Sequence, residues 1–237
     1  MRFPISRFER RRMLTALRRT IRRATRAVPP QLRGDGPKKL HVGSGPLARE
    51  GWINLDAYPY PGVDYVLDIR AGLPFTNVSH VYAEHFLEHL ELEDGLGFLA
   101  ECRRVLRDDG VVRLSTPNLD WVWRTQYHFG AWASDREAVR DCFMLNKSFR
   151  GWAHRFLYNL QTLTAALHAA GFDEVRACAY GESDDPELVG MERHPRDVDG
   201  EGLLHVIVVE ARGRRAPEAR PLDEWLPEYR AITSEGR

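Results

Sequence analysis

The densest group of chemistry-bearing residues is His85-Phe-Leu-Glu-His89, two imidazoles flanking a carboxylate. Held in one continuous helix, H-x-x-E-H spacing sets both imidazoles on one face around a zinc ion, with the glutamate as general base of a hydrolase. That chemistry needs an unbroken helix and a third ligand downstream. Here an apolar, strand-like run over 78–83 leads straight into Glu84 and His85. The stretch reads better as a strand breaking into a polar turn, and open α/β sheets place their binding crevice at the carboxyl ends of strands.

The elements that position this turn follow from pattern. Residues 38–42 form a short strand entering the Gly43-Ser-Gly45 bend. Residues 52–56 and 63–68 form two more, ending in Asp56 and Asp68, and 111–115 forms a fifth. Leu92, Leu96, Leu99, Val105 and Leu106 fall at helical spacing, and 161–170 reads as a second helix closed by Gly171. Residues 174–180 and 203–211 make a last strand pair joined by a long polar loop through Glu192, Arg193 and His194. The alternation predicts an α/β, Rossmann-like, mostly parallel seven-stranded sheet covered on both faces, with an antiparallel hairpin at one edge.

Charge divides the chain. Residues 1–33 carry eleven arginines and one acid, Glu9, although the whole chain is balanced at 34 basic and 34 acidic residues. Ser6 and Glu9 form a capping box, and Met13, Leu14, Leu17, Ile21, Ala24 and Val28 make one apolar helical stripe. The organisation expected is a basic amphipathic helix over 1–33, a linker over 34–37, a domain over 38–212 and a polar tail over 213–237. In the tail Trp225, Leu226 and Tyr229 are candidate anchors. The basic helix suits packing on the domain, pairing in a homodimer, or peripheral contact with anionic lipid at the inner membrane surface. An Arg-rich, acid-poor start also matches an organellar transit peptide. No nucleic-acid motif accompanies the arginines. Three scattered cysteines and no long apolar run predict a cytoplasmic protein without disulfides.

Gly43-Ser-Gly-Pro-Leu-Ala48 formally satisfies a dinucleotide fingerprint, but the next strand follows too soon for a pyrophosphate-binding helix. Taken together, the Gly-Ser-Gly bend, the Gly51-Trp-Ile-Asn-Leu-Asp56 run and the Leu73-Pro-Phe75 run after Asp68 resemble the class I S-adenosylmethionine-dependent methyltransferases. The likeness covers roughly 38–212 and is closest to a compact subgroup associated with surface polysaccharide biosynthesis. It implies S-adenosyl-L-methionine as cofactor. Gly43, Ser44 and Gly45 would pass under its methionine part, and Asp56 would bind the ribose hydroxyls. Asp68 and Ile69 would lie by the adenine, and Ala83, Glu84 and His85 would face the sulfonium. Two positions depart from the family: its acid before the first glycine is His41 here, and its third turn glycine is Leu47.

The resemblance implies methyl transfer to a small-molecule or glycan acceptor, an O-methylation of a sugar hydroxyl above all. Such a step needs an aligned acceptor and a proton acceptor. His154 is the candidate base, with His85 positioning. His89 and His128 are further candidates. Ten aromatic residues between Trp121 and Tyr158 suit an acceptor pocket wall or a core-covering layer equally. No metal ligand set is assigned, although in some methyltransferases of this class E-x-x-E-H after the fourth strand holds a divalent ion. The alternatives are a methyltransferase-like binding module without turnover, which the two departures favour, and a metal-dependent hydrolase using His85-x-x-Glu88-His89.

Overall fold

The computed structural model describes residue 29 and residues 32–194, 197–218 and 222–235. The basic helix expected from Ser6 to Val28 lies outside them. The strands are β1 (Lys38–Val42), β2 (Ile53–Asp56), β3 (Tyr65–Val66), β4 (Val78–Glu84), β5 (Leu106–Pro117), β6 (Glu174–Ala177) and β7 (Val206–Arg212). They form one sheet in the order β3-β2-β1-β4-β5-β7-β6. The first five pair in parallel, while β7 runs antiparallel to both β5 and β6. The predicted antiparallel pair is therefore present, with β6 at the edge and β7 inside the sheet. Reversal of β7 matters for the site, because its first residues reach the edge where β1, β2, β4 and β5 end.

Helices are α1 (Leu92–Val105), α2 (Leu119–Gln126), α3 (Asp135–Arg150), α4 (Leu160–Ala169) and α5 (Leu222–Glu235). Leu40, Val42, Val81, Ala83, Val112, Leu114 and Val209 belong to one buried cluster with Phe98 and Leu99 of α1, Leu163 and Leu167 of α4, and Leu222 and Leu226 of α5. The tail thus ends in a docked helix. Tyr229 packs on Phe156, whereas Trp225 is exposed.

The intervening strand residues are unusually polar: His41, His80, Arg113 and Glu210. Among the described residues, the buried cluster on this face contains no helical residue. The segment 178–194 crosses this face as an irregular strap, burying Leu188 and Met191 against Trp52, Tyr82 and Val111. The polar loop predicted between the last two strands therefore runs across this face. Lys39–Glu187 (2.8 Å) and His80–Asp185 (3.1 Å) hold one end. Arg113, fully buried, donates to Glu192 and Glu210 at 2.7 Å each. Burial alone would favour loss of its proton, but the two carboxylates outweigh it and keep the guanidinium charged. A polar strand face is the counterpart of a strap that brings its own charges.

The aromatic segment is mostly helical. Ser134 caps α3 by accepting from the Glu137 N–H, and Glu137 reaches back to the Ala133 N–H. Trp123, Phe129, Phe143 and Trp152 are exposed, and Trp123, Tyr127, Phe129 and Trp132 touch edge to edge or stacked. Phe156 and Tyr158 pack on the core, whereas these exposed rings do not cover it.

Candidate functional site

Turns after β1, β2, β3 and β4 meet at one edge of the sheet. Gly43 and Gly45 both have left-handed backbone, φ +66° and +51°, where side chains are disfavoured. A Cβ on Gly43 would stand 2.3 Å from the Phe86 ring, whereas a Cβ on Gly45 would meet nothing within 4 Å. The bend is therefore closed on its Phe86 side and open at Gly45. Asp56, at the tip of β2, accepts from the Gly45 N–H at 2.9 Å and from the Tyr58 N–H at 2.9 Å. β3 lies beside β2, with the Leu67 N–H on the Asp56 carbonyl (2.7 Å), so Asp68 follows on the same edge. It caps the turn Ile69–Ala71 and pairs with Arg70 at 2.8 Å; Ile69 is buried. Both acids thus do the structural work of strand-terminal carboxylates, at the positions predicted for adenosine contacts.

At the tip of β4 the predicted cofactor residues separate. Ala83 is buried in the core. Glu84 is buried and accepts from the backbone N–H groups of Arg193 (2.8 Å) and His194 (2.9 Å), with His194 Nδ1 at 3.1 Å. Burial alone would raise its pKa, but these donors outweigh it and hold the carboxylate below its usual range. Its oxygen Oε1 anchors the strap. Arg193 also donates to the Leu47 carbonyl at 3.3 Å, fixing the strap beside the glycine bend.

His85 has left-handed backbone, φ +46°, an uncommon conformation outside glycine. Its N–H donates to the Ser115 carbonyl (2.9 Å), and its Nδ1 lies 3.1 Å from Glu88 Oε1. Glu88 is fully buried, and its Oε2 accepts from Thr116 Oγ1 at 3.0 Å. A carboxylate on Nδ1 places the proton there and leaves Nε2 as the acceptor. His85 Nε2 is buried without a hydrogen-bond partner among the described residues, as is Ser44 Oγ. The rings of His194 and His205 lie 4.2 and 6.5 Å from that of His85, and Trp121 lies 5.9 Å from His205. Burial lowers the His205 pKa, partly offset by the Asp197 carbonyl.

His85 and His154 do not form the expected pair. His154 is buried, its Nδ1 lies 2.8 Å from the Ser148 carbonyl, and its ring neighbours are His89 and Trp152. Glu88 stands between the two histidines. Its place was visible in H-x-x-E-H, and His194 stood in the predicted polar loop, but His205 carried no local signal, and only the strap and reversed β7 bring both beside His85. The helix that a hydrolase would need is absent: His85 is in a left-handed turn, Leu87–His89 is a single 3-10 turn, and α1 begins at Leu92.

A shallow cleft of about 420 Å³ opens elsewhere, between β6, β7 and residues 184–186. Its lining side chains pair with one another, Arg176 with Asp184 and Glu210, and Arg212 with Asp185. It lacks the glycine bend and acids that converge at the strand tips.

No helix among the described residues is long and apolar enough to cross a membrane. No protein-family model matches the chain, and no curated protein matches it. Among solved structures it is similar to an S-adenosylmethionine-dependent methyltransferase from Archaeoglobus fulgidus, at 18% identity over 85% of this chain and 93% of that one, TM-score 0.46. It is similar to one from Mesorhizobium loti at 19% identity over 76% and 91%, TM-score 0.44. It is also similar to the methyltransferase SibL at 15% identity over 88% and 58%, TM-score 0.46. The chain spans 32% of PigF, 58% of SibL and 54% of the CurJ methyltransferase that it matches.

Proposed function

We propose that the chain binds S-adenosyl-L-methionine at the strand tips and transfers its methyl group to a hydroxyl of a small acceptor. The observation that carries this reading is the His85–Glu88 pair, a histidine with its Nδ1 on a buried carboxylate, at the edge that also holds the glycine bend and both acids. The residues suit the cofactor. Gly45 leaves open space for a close approach, Ser44 Oγ lacks a partner among the described residues, and Asp56 accepts one N–H on each oxygen and keeps a lone pair on each for hydroxyl donors. When bound, the cofactor supplies an already activated methyl group.

The protein then has to align the acceptor and take its proton. His85 Nε2 is the group we assign to that proton, in place of His154. The imidazolium that forms is stabilised by Glu88, as a buried carboxylate stabilises a catalytic histidine in hydrolytic triads. His194 on the strap covers His85, so acceptor entry requires the Arg193–His194 end to shift.

The acceptor class that fits best is a sugar, in polysaccharide or glycolipid biosynthesis. The exposed aromatic rings of α2 and the following turn offer flat apolar faces beyond the end of β5. Calorimetric titration with S-adenosylhomocysteine tests the cofactor, and transfer of a labelled methyl group to a sugar panel tests the reaction. His85→Gln is expected to keep cofactor binding and to lower kcat by about 10²–10⁴.

The competing reading is a binding module without turnover. It is favoured by the Asp68–Arg70 pair, which already engages one acid, and by Phe86 filling the space beside Gly43. Absence of S-adenosylhomocysteine binding at high concentration selects it.

A further inference from the structure

Glu88, His89 and His154 each bring one donor atom to within 4.8 Å of the others. We propose that these three side chains bind a divalent transition-metal ion of the zinc type. The inference does not rest on methyl transfer, and it differs from the sequence pattern: His85 is not a ligand, and the third donor comes from the far segment after α3.

Four observations support it. Glu88 is a fully buried carboxylate whose ion-pair partners among the described residues, His85 at 3.1 Å and His89 at 3.9 Å, are both histidines. A buried carboxylate without a permanent cation is costly, and a metal ion supplies that charge. His154 directs Nδ1 to the Ser148 carbonyl at 2.8 Å, which puts the proton on Nδ1 and leaves Nε2 free to ligate. Support of this kind from the unligated nitrogen is the usual outer shell of a metal-bound imidazole. His85 and Thr116 orient Glu88 in the same manner.

The backbone around the cluster is also held in disfavoured conformations. Among the described residues four non-glycine positions have positive φ, and three of them, His85, Trp152 and Ala153, adjoin these ligands. Such conformations persist only where the surroundings impose them, and they concentrate at functional sites. The Glu88 carbonyl accepts from the N–H groups of Arg155 (2.7 Å) and Phe156 (3.2 Å), locking the two ligand-bearing turns together. Finally, the His89 side chain is 36% exposed, so solvent reaches the cluster. Two imidazoles and one carboxylate suit zinc, with a fourth position for water or an oxygen ligand.

The test uses the full chain, stripped of metal and titrated with Zn²⁺ alone by calorimetry and with Co²⁺ by visible absorption. One saturating ion per chain is expected, with the intense Co²⁺ bands of a four-coordinate site. His154→Ala and His89→Ala are each expected to weaken Zn²⁺ binding by about tenfold or more. His89, partly exposed, serves where His154→Ala does not fold. No saturable uptake by the unaltered protein, or undiminished affinity in a folded variant, overturns the proposal. The titrations contain no methyl donor, so their outcome stands apart from that of S-adenosylhomocysteine binding.

Discussion

The Asp56 carboxylate accepts the Gly45 N–H at 2.9 Å, so the tip of β2 holds the bend at the tip of β1. One side chain thereby links the two elements assigned to the ribose and methionine ends of the cofactor. Asp56→Ala is expected to weaken S-adenosylhomocysteine binding by about tenfold or more, a loss of about 1.4 kcal/mol. Asp56→Asn keeps an acceptor for Gly45 and is expected to lie between the two. Unchanged affinity in Asp56→Ala, measured by calorimetry, refutes the ribose assignment.

The two glycines of the bend should respond differently to a methyl group. Gly45→Ala meets open space and carries only the cost of left-handed backbone, about 1–2 kcal/mol. Gly43→Ala adds a clash with the Phe86 ring, itself packed on Phe98, and should cost more. Denaturant unfolding of the two variants ranks them, and equal midpoints would contradict this account of the bend.

Arg113 neutralises two carboxylates on the buried strap face. Arg113→Met is expected to destabilise the fold by about 3–5 kcal/mol, because Glu192 and Glu210 lose their shared buried partner. Hydrogen exchange should show the loss first in the strap, at the Gly181 and Arg193 amides. A variant with unaltered urea midpoint would mean that water or nearby arginines compensate.

His41 gives a pH signature. Burial lowers its pKa to about 4, with the Asn54 hydrogen bond opposing. Unfolding frees it to take a proton at its ordinary value near 6.5, so its share of stability is complete above that pH and is lost progressively as pH falls toward 4. The loss is on the order of 3 kcal/mol at the acid end. Urea midpoints between pH 7 and about 5 should fall less steeply in His41→Gln. Identical slopes in both proteins would remove His41 from the explanation.

Local sequence located the strands and two of the helices, because short-range chemistry sets each, although β5 spans Leu106–Pro117 rather than the 111–115 read from pattern. Alternating and continuous apolar runs marked β1, β2 and β4, and the acids at 56 and 68 marked strand tips. The Leu stripe marked α1, and Gly171 marked the end of α4. Helix α3 was not predicted, although Ser134 and Glu137 stand at its start with capping-box spacing.

Tertiary structure alone decided the long-range partners of the functional groups. Whether Glu84 meets a ligand or the strap depends on where residues 193 and 194 cross the sheet. The grouping of His85 with His194 and His205 depends on the reversed direction of β7. The approach of His154 to Glu88 and His89 depends on a turn held in left-handed backbone that no local preference favours. Spacing along a chain fixes neighbours within a turn or two, whereas contacts between distant segments are set by the packing of the whole sheet and its cover.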